Sequence, residues 1–597
     1  MTVANLYFKR VILILILLSA LTGINQSKAQ TQTKPNVILI MTDDQGIGDF
    51  GFMGNPYIKT ANLDKMASES LNLTNFYVSP VCAPTRASLM TGRFYERTGV
   101  YDTYNGGAIM SAEEITMAEA LKERGYHTGI FGKWHLGDNY PYRPIDQGFD
   151  VAAVHRGGGI GQPGDIHNFF DGDSSYFDPV LFKNGQPEQY YGYCSDVFTD
   201  EAIGFIRQHQ QQNTTQPFFA YLSFNAPHTP LQLPKEYYDL YDDLKFNAED
   251  FGVYDDAVEK MTPRDVEAAK RVYGMVTNID DNVGKLMQAL KDEGIQENTI
   301  VVFLTDNGPQ QVRYKLGLRE RKSYVFGGGV RVPCLIHYPD KFESKQELDA
   351  TVAHIDLLPS ILDLCGLEQV EHPIDGMSIF SAQGNYSAFE NRTLFFEWGR
   401  GFPVRYRNFA VVKNHHKLVG NTTKDAEISD FQLFNLEKDP QEKNDIVSEK
   451  TKMAIQLKDE MDNWYEEIMM EENYRRVFPA IIGIPHENPV LLNRNDAKGT
   501  PVAWSDENRL NYWEVQAVDD GFYDITLHFL EEVKDTGQVY LKMYPYHLVS
   551  EQTGSIKEWR FNNVKIDKGI YKLEPYFQTR NRNYIFPFYV SVKRIEP

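Results

Sequence analysis

The 597-residue chain is 42% hydrophobic and 13% aromatic, so it can bury at least one large core and is not intrinsically disordered. Its formal net charge of −22 argues against nucleic acid as a partner, because phosphate backbones are bound by net positive surfaces. Four cysteines in so long a chain do not indicate a disulfide scaffold.

The first 29 residues have the pattern of an export signal. Lys9 and Arg10 precede the apolar run 11–21, and Ser27-Lys28-Ala29 is a small-x-small cleavage site. The run is short for a membrane anchor and no second run follows, so no integral membrane span is predicted. We therefore expect an exported protein, periplasmic or secreted, whose signal peptide is cleaved near Ala29.

Apolar runs then alternate with amphipathic stretches. In chain order, the patterns predict a strand at 36–41, a helix at 114–124, a strand at 127–131, a helix at 196–210, a strand at 217–224, a helix at 263–291 and a strand at 299–304. This alternation is typical of an α/β domain with a largely parallel sheet. Beyond about residue 480, apolar and polar residues alternate at 512–517, 523–529 and 538–543, which predicts an all-β sandwich.

Polar residues directly follow four of these strands. The segments are Thr42-Asp43-Asp44-Gln45, Gly132-Lys133-Trp134-His135, Asn225-Ala226-Pro227-His228 and Thr305-Asp306-Asn307-Gly308. Any one of them alone is most often a turn or a helix cap. Because ligands of open α/β sheets bind at the carboxyl ends of the strands, we expect the four loops to converge on one site.

Four residues of these loops are hard oxygen ligands. Asp43, Asp44 and Asp306 are anionic, and Asn307 is neutral. Such a set suits calcium or magnesium better than zinc, since the clustered thiols and imidazoles of a zinc site are missing. The alternative interpretation is a solvated acidic turn.

Cys82 lies just before Pro84, at a predicted helix start. A group at that position faces unpaired backbone N–H donors and the positive end of the helix dipole, which favours anions. A lone cysteine near a helix start is, however, most often inert and buried.

Together these residues resemble the formylglycine-dependent type I sulfatases, arylsulfatase-like members of the alkaline phosphatase superfamily. Cys82-Ala83-Pro84-Thr85-Arg86, followed by Leu89, Gly92 and Arg93, is similar to the family signature. The other matching segments are Asp43-Asp44, Gly132 to Gly137, Pro227-His228, Asp306-Asn307-Gly308 and Lys322 ahead of Gly328 to Pro333. The resemblance covers roughly 35–470, and the Gly-rich segment 155–163 with the C-terminal β region resembles bacterial polysaccharide-degrading members.

The resemblance implies an alkaline-phosphatase-like α/β fold. A large mixed sheet is expected between helices, with a smaller antiparallel C-terminal subdomain and an appended all-β region. The expected division is a signal peptide at 1–29, a catalytic α/β domain at 30–395, a smaller α+β subdomain at 396–480 and a β-sandwich-like accessory domain at 485–597.

The resemblance also implies that a maturation enzyme converts Cys82 to formylglycine (3-oxoalanine), whose hydrate supplies the attacking oxygen. One calcium ion would be held by Asp43, Asp44, Asp306, Asn307 and the modified Cys82.

The resemblance assigns roles to the basic residues as well. Arg86 would hold the hydrated aldehyde, and His135 would take the proton that drives sulfate elimination. His228 would protonate the departing alcohol, and Lys133 and Lys322 would bind sulfate oxygens. Family members commonly have Lys-Gly where this chain has Lys322-Ser323. The resemblance therefore does not predict the backbone conformation after Lys322.

The residues that would contact the substrate carry weaker sequence signals than the catalytic candidates. His155 and Arg156 are expected to contact a sulfated or uronic-acid sugar, as are His167, Arg313, Arg319 and Arg321, although solvated loop charges are the alternative. Trp398, Tyr406 and Trp464 suit either sugar stacking or packing.

The expected function is exo-type desulfation of polysaccharide-derived oligosaccharides, such as fragments of ulvan, carrageenan or fucoidan. A phosphonate or phosphate diester hydrolase of the same superfamily, and a noncatalytic sulfoglycan-binding protein with unmodified Cys82, are the alternatives.

Overall fold

The computed structural model describes residues 34–595 except for 170–173, 213–214, 254, 343, 382–384, 423–424 and 501–503. The predicted signal peptide at 1–29 lies outside the described residues. Among the helices in the described part of the chain, none combines the length and the apolar character needed to cross a bilayer.

The strands are β1 (Asn36–Thr42), β2 (Leu71–Leu73), β3 (Phe76–Tyr77), β4 (His127–Lys133), β5 (Val151–His155), β6 (Val180–Lys183), β7 (Gln186–Gln189), β8 (Phe218–Ser223), β9 (Thr299–Thr305), β10 (Cys334–His337), β11 (Gln346–Leu348), β12 (Val352–Ala353), β13 (Leu394–Glu397), β14 (Phe409–Lys413), β15 (His416–Gly420), β16 (Gln432–Asn435), β17 (Ala480–Ile482), β18 (Val490–Asn493), β19 (Lys498–Gly499), β20 (Asn511–Ala517), β21 (Gly521–Val533), β22 (Gly537–Met543), β23 (Tyr546–Gln552), β24 (Ile556–Ile566), β25 (Gly569–Thr579), β26 (Tyr584–Ile585) and β27 (Tyr589–Ile595).

The helices are α1 (Ala61–Ser68), α2 (Cys82–Thr91), α3 (Met117–Glu123), α4 (Cys194–Gln212), α5 (Lys235–Asp239), α6 (Asp256–Glu259), α7 (Pro263–Asp292), α8 (Gly327–Val330), α9 (Leu357–Leu364), α10 (Ser387–Asn391), α11 (Thr451–Met469) and α12 (Glu472–Arg475).

A ten-stranded mixed sheet runs in the order β11-β2-β10-β9-β1-β8-β4-β5-β6-β7. Its five central strands, from β9 to β5, are parallel. Thr42 at the end of β1 is opposite Thr305 at the end of β9, and Ser223 at the end of β8 is opposite Gly132. The four polar loops therefore leave the sheet at one edge, as the sequence predicts.

Helices cover both faces of this sheet, which explains why its central strands are continuous apolar runs. Leu39 and Met41 face a core shared with α2, α3 and α9. Ile38 and Ile40 face the opposite core, shared with α1, α4 and α7. The predicted α/β fold with a large mixed sheet between helices is confirmed.

A smaller antiparallel sheet follows, in the order β13-β14-β15-β16. It packs against α11, whose Leu457, Met461 and Ile468 are buried with Phe409 and Leu418. Trp398, Tyr406 and Trp464 are also buried, so these three aromatic side chains serve packing rather than sugar stacking.

The C-terminal residues form two facing sheets. One sheet has the order β17-β20-β25-β22-β23, with β19 and β26 at its side, and the other has the order β18-β27-β21-β24. Trp513, Leu527 and Val590 belong to the core between them. Because β17 pairs with β20, Ala480–Ile482 also belong to the first of these sheets.

The sandwich packs directly on the α/β domain. The Gly106 N–H donates a hydrogen bond to the Asn495 carbonyl (3.0 Å), and the Asp138 N–H donates to Asp496 Oδ2 (3.3 Å). The segment that joins β18 to β19 is thus held against two loops of the α/β domain.

Candidate active site

The structure brings the four predicted oxygen ligands together. Asp43 and Asp44 follow β1, Asp306 and Asn307 follow β9, and all four side chains are fully buried. Ligand atoms of Asp43, Cys82 and Asp306 lie within 4.8 Å of one another, and so do those of Asp43, Asp44 and His228. Asp44 has a φ of +63°, in the left-handed region that few non-glycine residues adopt.

Three buried side-chain oxygens of this cluster accept no hydrogen bond from the described residues. Asp43 Oδ1, Asp44 Oδ2 and Asn307 Oδ1 are shielded from solvent and have no hydrogen-bond partner among the described residues. An unpaired buried carboxylate oxygen is costly unless a cation coordinates it. Hard oxygens of this kind fit calcium or magnesium.

Basic side chains surround the same carboxylates. Lys133 Nζ donates to Asp43 Oδ2 (2.5 Å), and Arg86 Nη2 donates to Asp306 Oδ2 (2.9 Å). Burial alone would raise the pKa of Asp43, but Lys133, His228 and Arg86 hold that pKa well below its usual range. Burial and the neighbouring Asp43 raise the pKa of Asp306 to about 7. A divalent cation would favour the ionised form of both carboxylates.

Cys82 is the first residue of α2 and lines a pocket beside the four oxygen ligands, although only 3% of its surface is exposed. Burial raises the pKa of its thiol, and the nearby lysines Lys133 and Lys322 only partly oppose this. A protonated thiol is a weak nucleophile, so the position suits a residue that is chemically converted before it reacts.

Arg86 lies one helical turn after Cys82 and is buried. Its Nη1 donates to Ser223 Oγ (2.5 Å) and to the Lys133 carbonyl (3.3 Å), while Nη2 binds Asp306. The guanidinium therefore joins α2 to the ends of β4, β8 and β9.

His135 is held in a defined tautomer. Its Nε2–H donates to the Thr103 carbonyl (2.7 Å), which leaves a lone pair at Nδ1, an atom without a partner among the described residues. Burial, followed by Lys133, lowers the pKa of His135 well below its ordinary value, which favours the neutral ring. A side chain at Gly158 would come within 3.1 Å of this ring.

His228 lies at the pocket surface after β8. Its Nδ1–H donates to the Thr229 carbonyl (2.6 Å), and Nε2 lies 3.8 Å from Asp44 Oδ2. Burial lowers the pKa of His228, and Asp43 and Asp44 act in the opposite direction. The adjacent carboxylates thus only partly oppose the effect of burial on this pKa.

The pocket has a volume of about 450 Å³. It is lined by the cations Arg321, Lys322 and Arg400 and by His135 and His228, and none of the described residues that line it is acidic. In a chain with a net charge of −22, this is a local concentration of positive charge that attracts anions.

The two predicted sulfate-binding lysines differ in position. Lys322 lines the pocket, whereas Lys133 is fully buried on Asp43 beneath it. Ser323 has a φ of +74°, the left-handed conformation that glycine adopts most readily. Ser323 therefore adopts a conformation that a glycine at this position would adopt with less strain.

Two predicted substrate contacts are not in this pocket. Arg156 lies over the ring of Phe182 (3.7 Å to the centroid) and pairs with Glu487 (3.4 Å). His155 is buried beside it, and both line a separate, much smaller cavity. Phe182 and Glu487 hold the guanidinium of Arg156, and neither His155 nor Arg156 lines the pocket beside Cys82, so their contact with substrate stays a prediction.

Of the other basic residues expected to contact substrate, three are held by neighbouring side chains and one lines the pocket. Arg313 is buried on Asp49, Arg319 stacks on Phe326 and His167 lies against Phe182. Arg321 is the member of this group that lines the pocket.

Sequence reasoning missed Tyr104, Tyr324, Arg400 and Trp504, which also line the pocket. Tyr104, Arg400 and Trp504 belong to no motif and lie in loops far apart in the chain, and Tyr324 follows the matched Lys322 by two positions. An aromatic or arginine within a loop carries no local pattern by which it could have been singled out.

Comparisons with known proteins agree with the family resemblance of the sequence motifs. The sulfatase family model matches residues 35–367, and a model described as N-sulphoglucosamine sulphohydrolase, C-terminal, matches 320–468. An arylsulfatase of Hemicentrotus pulcherrimus is 31% identical over 64% of this chain and 67% of its own length. An ulvan-active sulfatase of Formosa agariphila is 31% identical over 56% of this chain and 62% of its own length.

Solved structures show the same likeness. Ps i-CgsB in complex with k-i-k-neocarrahexaose superposes with a TM-score of 0.63 at 28% identity, over 74% of this chain and 97% of that one. A phosphonate monoester hydrolase of Agrobacterium radiobacter superposes with a TM-score of 0.51 at 19% identity, over 73% and 95%, which shows a shared fold alone.

Proposed function

Because this chain belongs to the sulfatase family, whose members hydrolyse sulfuric esters, we propose that it is an exported sulfatase that removes sulfate from the ends of polysaccharide-derived oligosaccharides. The observation that carries this proposal is the pocket. It combines three cations and two histidines, without a described acidic residue in its lining, beside Cys82 and the buried oxygen ligands. Such a site favours an anionic ester over a neutral one.

We assign the nucleophile to Cys82 after its oxidation to formylglycine by a maturation enzyme. Asp43, Asp44, Asp306 and Asn307 would hold one calcium ion together with the modified residue. When bound, calcium would lower the pKa of the hydroxyl that the hydrated aldehyde offers. The three unpartnered oxygens and the raised pKa of the thiol support this assignment.

The remaining roles follow from what each side chain can donate or accept. Arg86, fixed by Ser223 and Asp306, would position the modified residue. Lys322 would bind sulfate oxygens at the pocket surface, and Lys133 would add positive charge from beneath. His135 would accept a proton through Nδ1 as sulfate is eliminated.

His228 would protonate the departing alcohol. A sugar alkoxide is a poor leaving group, so a proton supplied during cleavage is worth about 10²–10⁴ in rate. The position of His228 in the pocket lining, with Nε2 3.8 Å from Asp44 Oδ2, supports this role.

The substrate class is proposed from the pocket and from the relatives. The volume of about 450 Å³ suits a chain end, since small-molecule sites typically enclose about 300–1,000 Å³. One relative is named an ulvan-active sulfatase, and one similar protein was crystallised with k-i-k-neocarrahexaose. Both support a fragment of a sulfated polysaccharide.

The test is release of sulfate from ulvan, carrageenan, fucoidan and glycosaminoglycan fragments by protein from a host that has the maturation enzyme. Peptide mass spectrometry across Cys82 should show the aldehyde, and Cys82→Ala should abolish hydrolysis. Activity confined to small aryl sulfates would refute the polysaccharide assignment. Faster turnover of phosphonate or phosphate diesters would assign the site to that chemistry instead.

Export is tested separately. The mature protein should begin near Gln30 and be recovered from the periplasm or the medium. Intact Met1 on the protein from its native cells would contradict the predicted cleavage.

A further inference from the structure

One wall of the pocket is built from three distant parts of the chain. Tyr104 follows α2, Arg400 follows β13, and Trp504 lies between β19 and β20 of the sandwich. The rings of Tyr104 and Trp504 have centroids 5.0 Å apart at an interplanar angle of 33°, and Arg400 Cζ lies 4.6 Å from the Tyr104 centroid. The sandwich therefore supplies part of the active-site wall.

Arg400 is anchored on one side and open on the other. Its Nη1 donates to Asp102 Oδ1 (2.8 Å) and to Thr103 Oγ1 (2.8 Å). Asp102 is 2% exposed, but Arg400 is 53% exposed. No further hydrogen bond of this guanidinium is formed within the described part of the chain, so its other N–H groups can bind an anion.

The wall is held in place by backbone packing. The Gly106 N–H donates to the Asn495 carbonyl (3.0 Å), and a Cβ at Gly106 would lie 2.5 Å from Lys498 Cγ. Lys498 in turn pairs with Glu514 of β20 (2.6 Å). The loop that carries Tyr104 is thus packed against the strand that precedes Trp504, which positions both rings.

We propose that Trp504, Tyr104 and Arg400 form a subsite for the sugar next to the sulfated one, and that this neighbouring sugar carries a carboxylate or a second sulfate. The inference rests on the proposed function. Lys322, His228 and Cys82 are engaged with the scissile sulfate, which leaves the aromatic pair for the apolar face of an adjoining sugar. Arg400 binds the anionic group of that sugar by charge-assisted hydrogen bonds.

The experiment compares substrates that do and do not reach this wall. Wild type, Trp504→Ala and Arg400→Gln are assayed on 4-nitrophenyl sulfate and on the oligosaccharide that wild type desulfates fastest. Trp504→Ala should lower kcat/KM on the oligosaccharide at least about tenfold and change the aryl sulfate rate less than twofold. Tyr544→Ala, an exposed tyrosine of the same sandwich, is the matched control and should change neither rate.

The anionic group is tested with the same oligosaccharide after reduction of its uronic acid to the alcohol, or with a form that lacks the second sulfate. Arg400→Gln should lose activity only on the unmodified, anionic oligosaccharide. The modification that lowers the activity of wild type identifies the group that Arg400 binds, either the carboxylate or the second sulfate. Equal losses on oligosaccharide and aryl sulfate, or no loss with Trp504→Ala, would overturn the subsite. Failure of wild type to release sulfate from any ester would instead refute the proposed function.

Discussion

Lys322 Nζ lies 2.6 Å from Asp44 Oδ1, and the backbone on both sides of this lysine is tied to the active-site loops. The Lys322 N–H donates to the Pro309 carbonyl (3.1 Å), and the Ser323 N–H donates to the Pro80 carbonyl (2.9 Å). Lys322 is thereby fixed between the loop after β9 and the start of α2. Lys133, which pairs with Asp43, lies beneath the pocket and does not line it.

The two lysines should therefore respond differently to the same substitution. Lys133→Met leaves Asp43 buried without its main partner, which should cost about 3–5 kcal/mol of unfolding free energy. Lys322→Met should cost less stability but lower kcat/KM about 10²–10³-fold, as loss of a transition-state donor does. Urea unfolding and steady-state kinetics on both variants measure the difference. Full activity in a folded Lys322→Met protein would contradict its assigned role.

Ser323 offers a test of backbone strain. Its φ of +74° costs a non-glycine residue about 1–2 kcal/mol, against about 0.5–1 kcal/mol of entropy lost by glycine. Ser323→Gly should therefore keep full activity and equal or slightly raise the Tm. Ser323→Val, which is β-branched, should lower the Tm and impair turnover by moving Lys322. Equal behaviour of the two variants would show that the conformation at this residue does not position the lysine.

His228 should matter in proportion to how poor the leaving group is. His228→Gln should reduce kcat about 10²–10⁴-fold on a sugar sulfate, because the alkoxide then leaves unprotonated. The loss on 4-nitrophenyl sulfate should be under about tenfold, since nitrophenolate leaves readily without a proton. Kinetics on a series of aryl sulfates would show a steeper dependence on leaving-group pKa in the variant. An unchanged slope would exclude His228 as the general acid.

Removal of the metal should be visible in stability as well as in activity. At free calcium 100-fold above its dissociation constant, binding stabilises the folded state by about 2.7 kcal/mol. Chelation should therefore lower the Tm, and added calcium should restore it. Asp306→Asn is the matched variant, in which calcium should shift the Tm less because one anionic ligand is gone. A Tm that does not depend on calcium would contradict the site.

Much of this molecule is visible in local sequence patterns. The strand from 36 to 41 is observed as β1 (Asn36–Thr42), and the helix from 263 to 291 as α7 (Pro263–Asp292). Their apolar periods are set by burial on one or both faces, which is a property of neighbouring residues. The predicted oxygen ligands follow from the position of their loops, because a parallel sheet brings the ends of its strands to one edge, whereas Cys82 is singled out by the resemblance to the family signature.

Other features depend on contacts between distant segments. His155 and Arg156 lie in a Gly-rich segment that suggests a binding loop, yet Phe182 and Glu487 already occupy the guanidinium of Arg156. No pattern within the segment indicates that a glutamate far along the chain pairs with this arginine. Whether a charged side chain binds a ligand or a neighbour is decided by packing.

The sequence by itself determined the sheet and the order of its loops, since these follow from short-range periodicity, and a motif of adjacent residues singled out Cys82. Only the tertiary structure decided that Tyr104, Arg400 and Trp504 share a wall of the pocket. They meet because the sandwich packs on the loop at Gly106, and the energy of that packing comes from surfaces that no local pattern specifies.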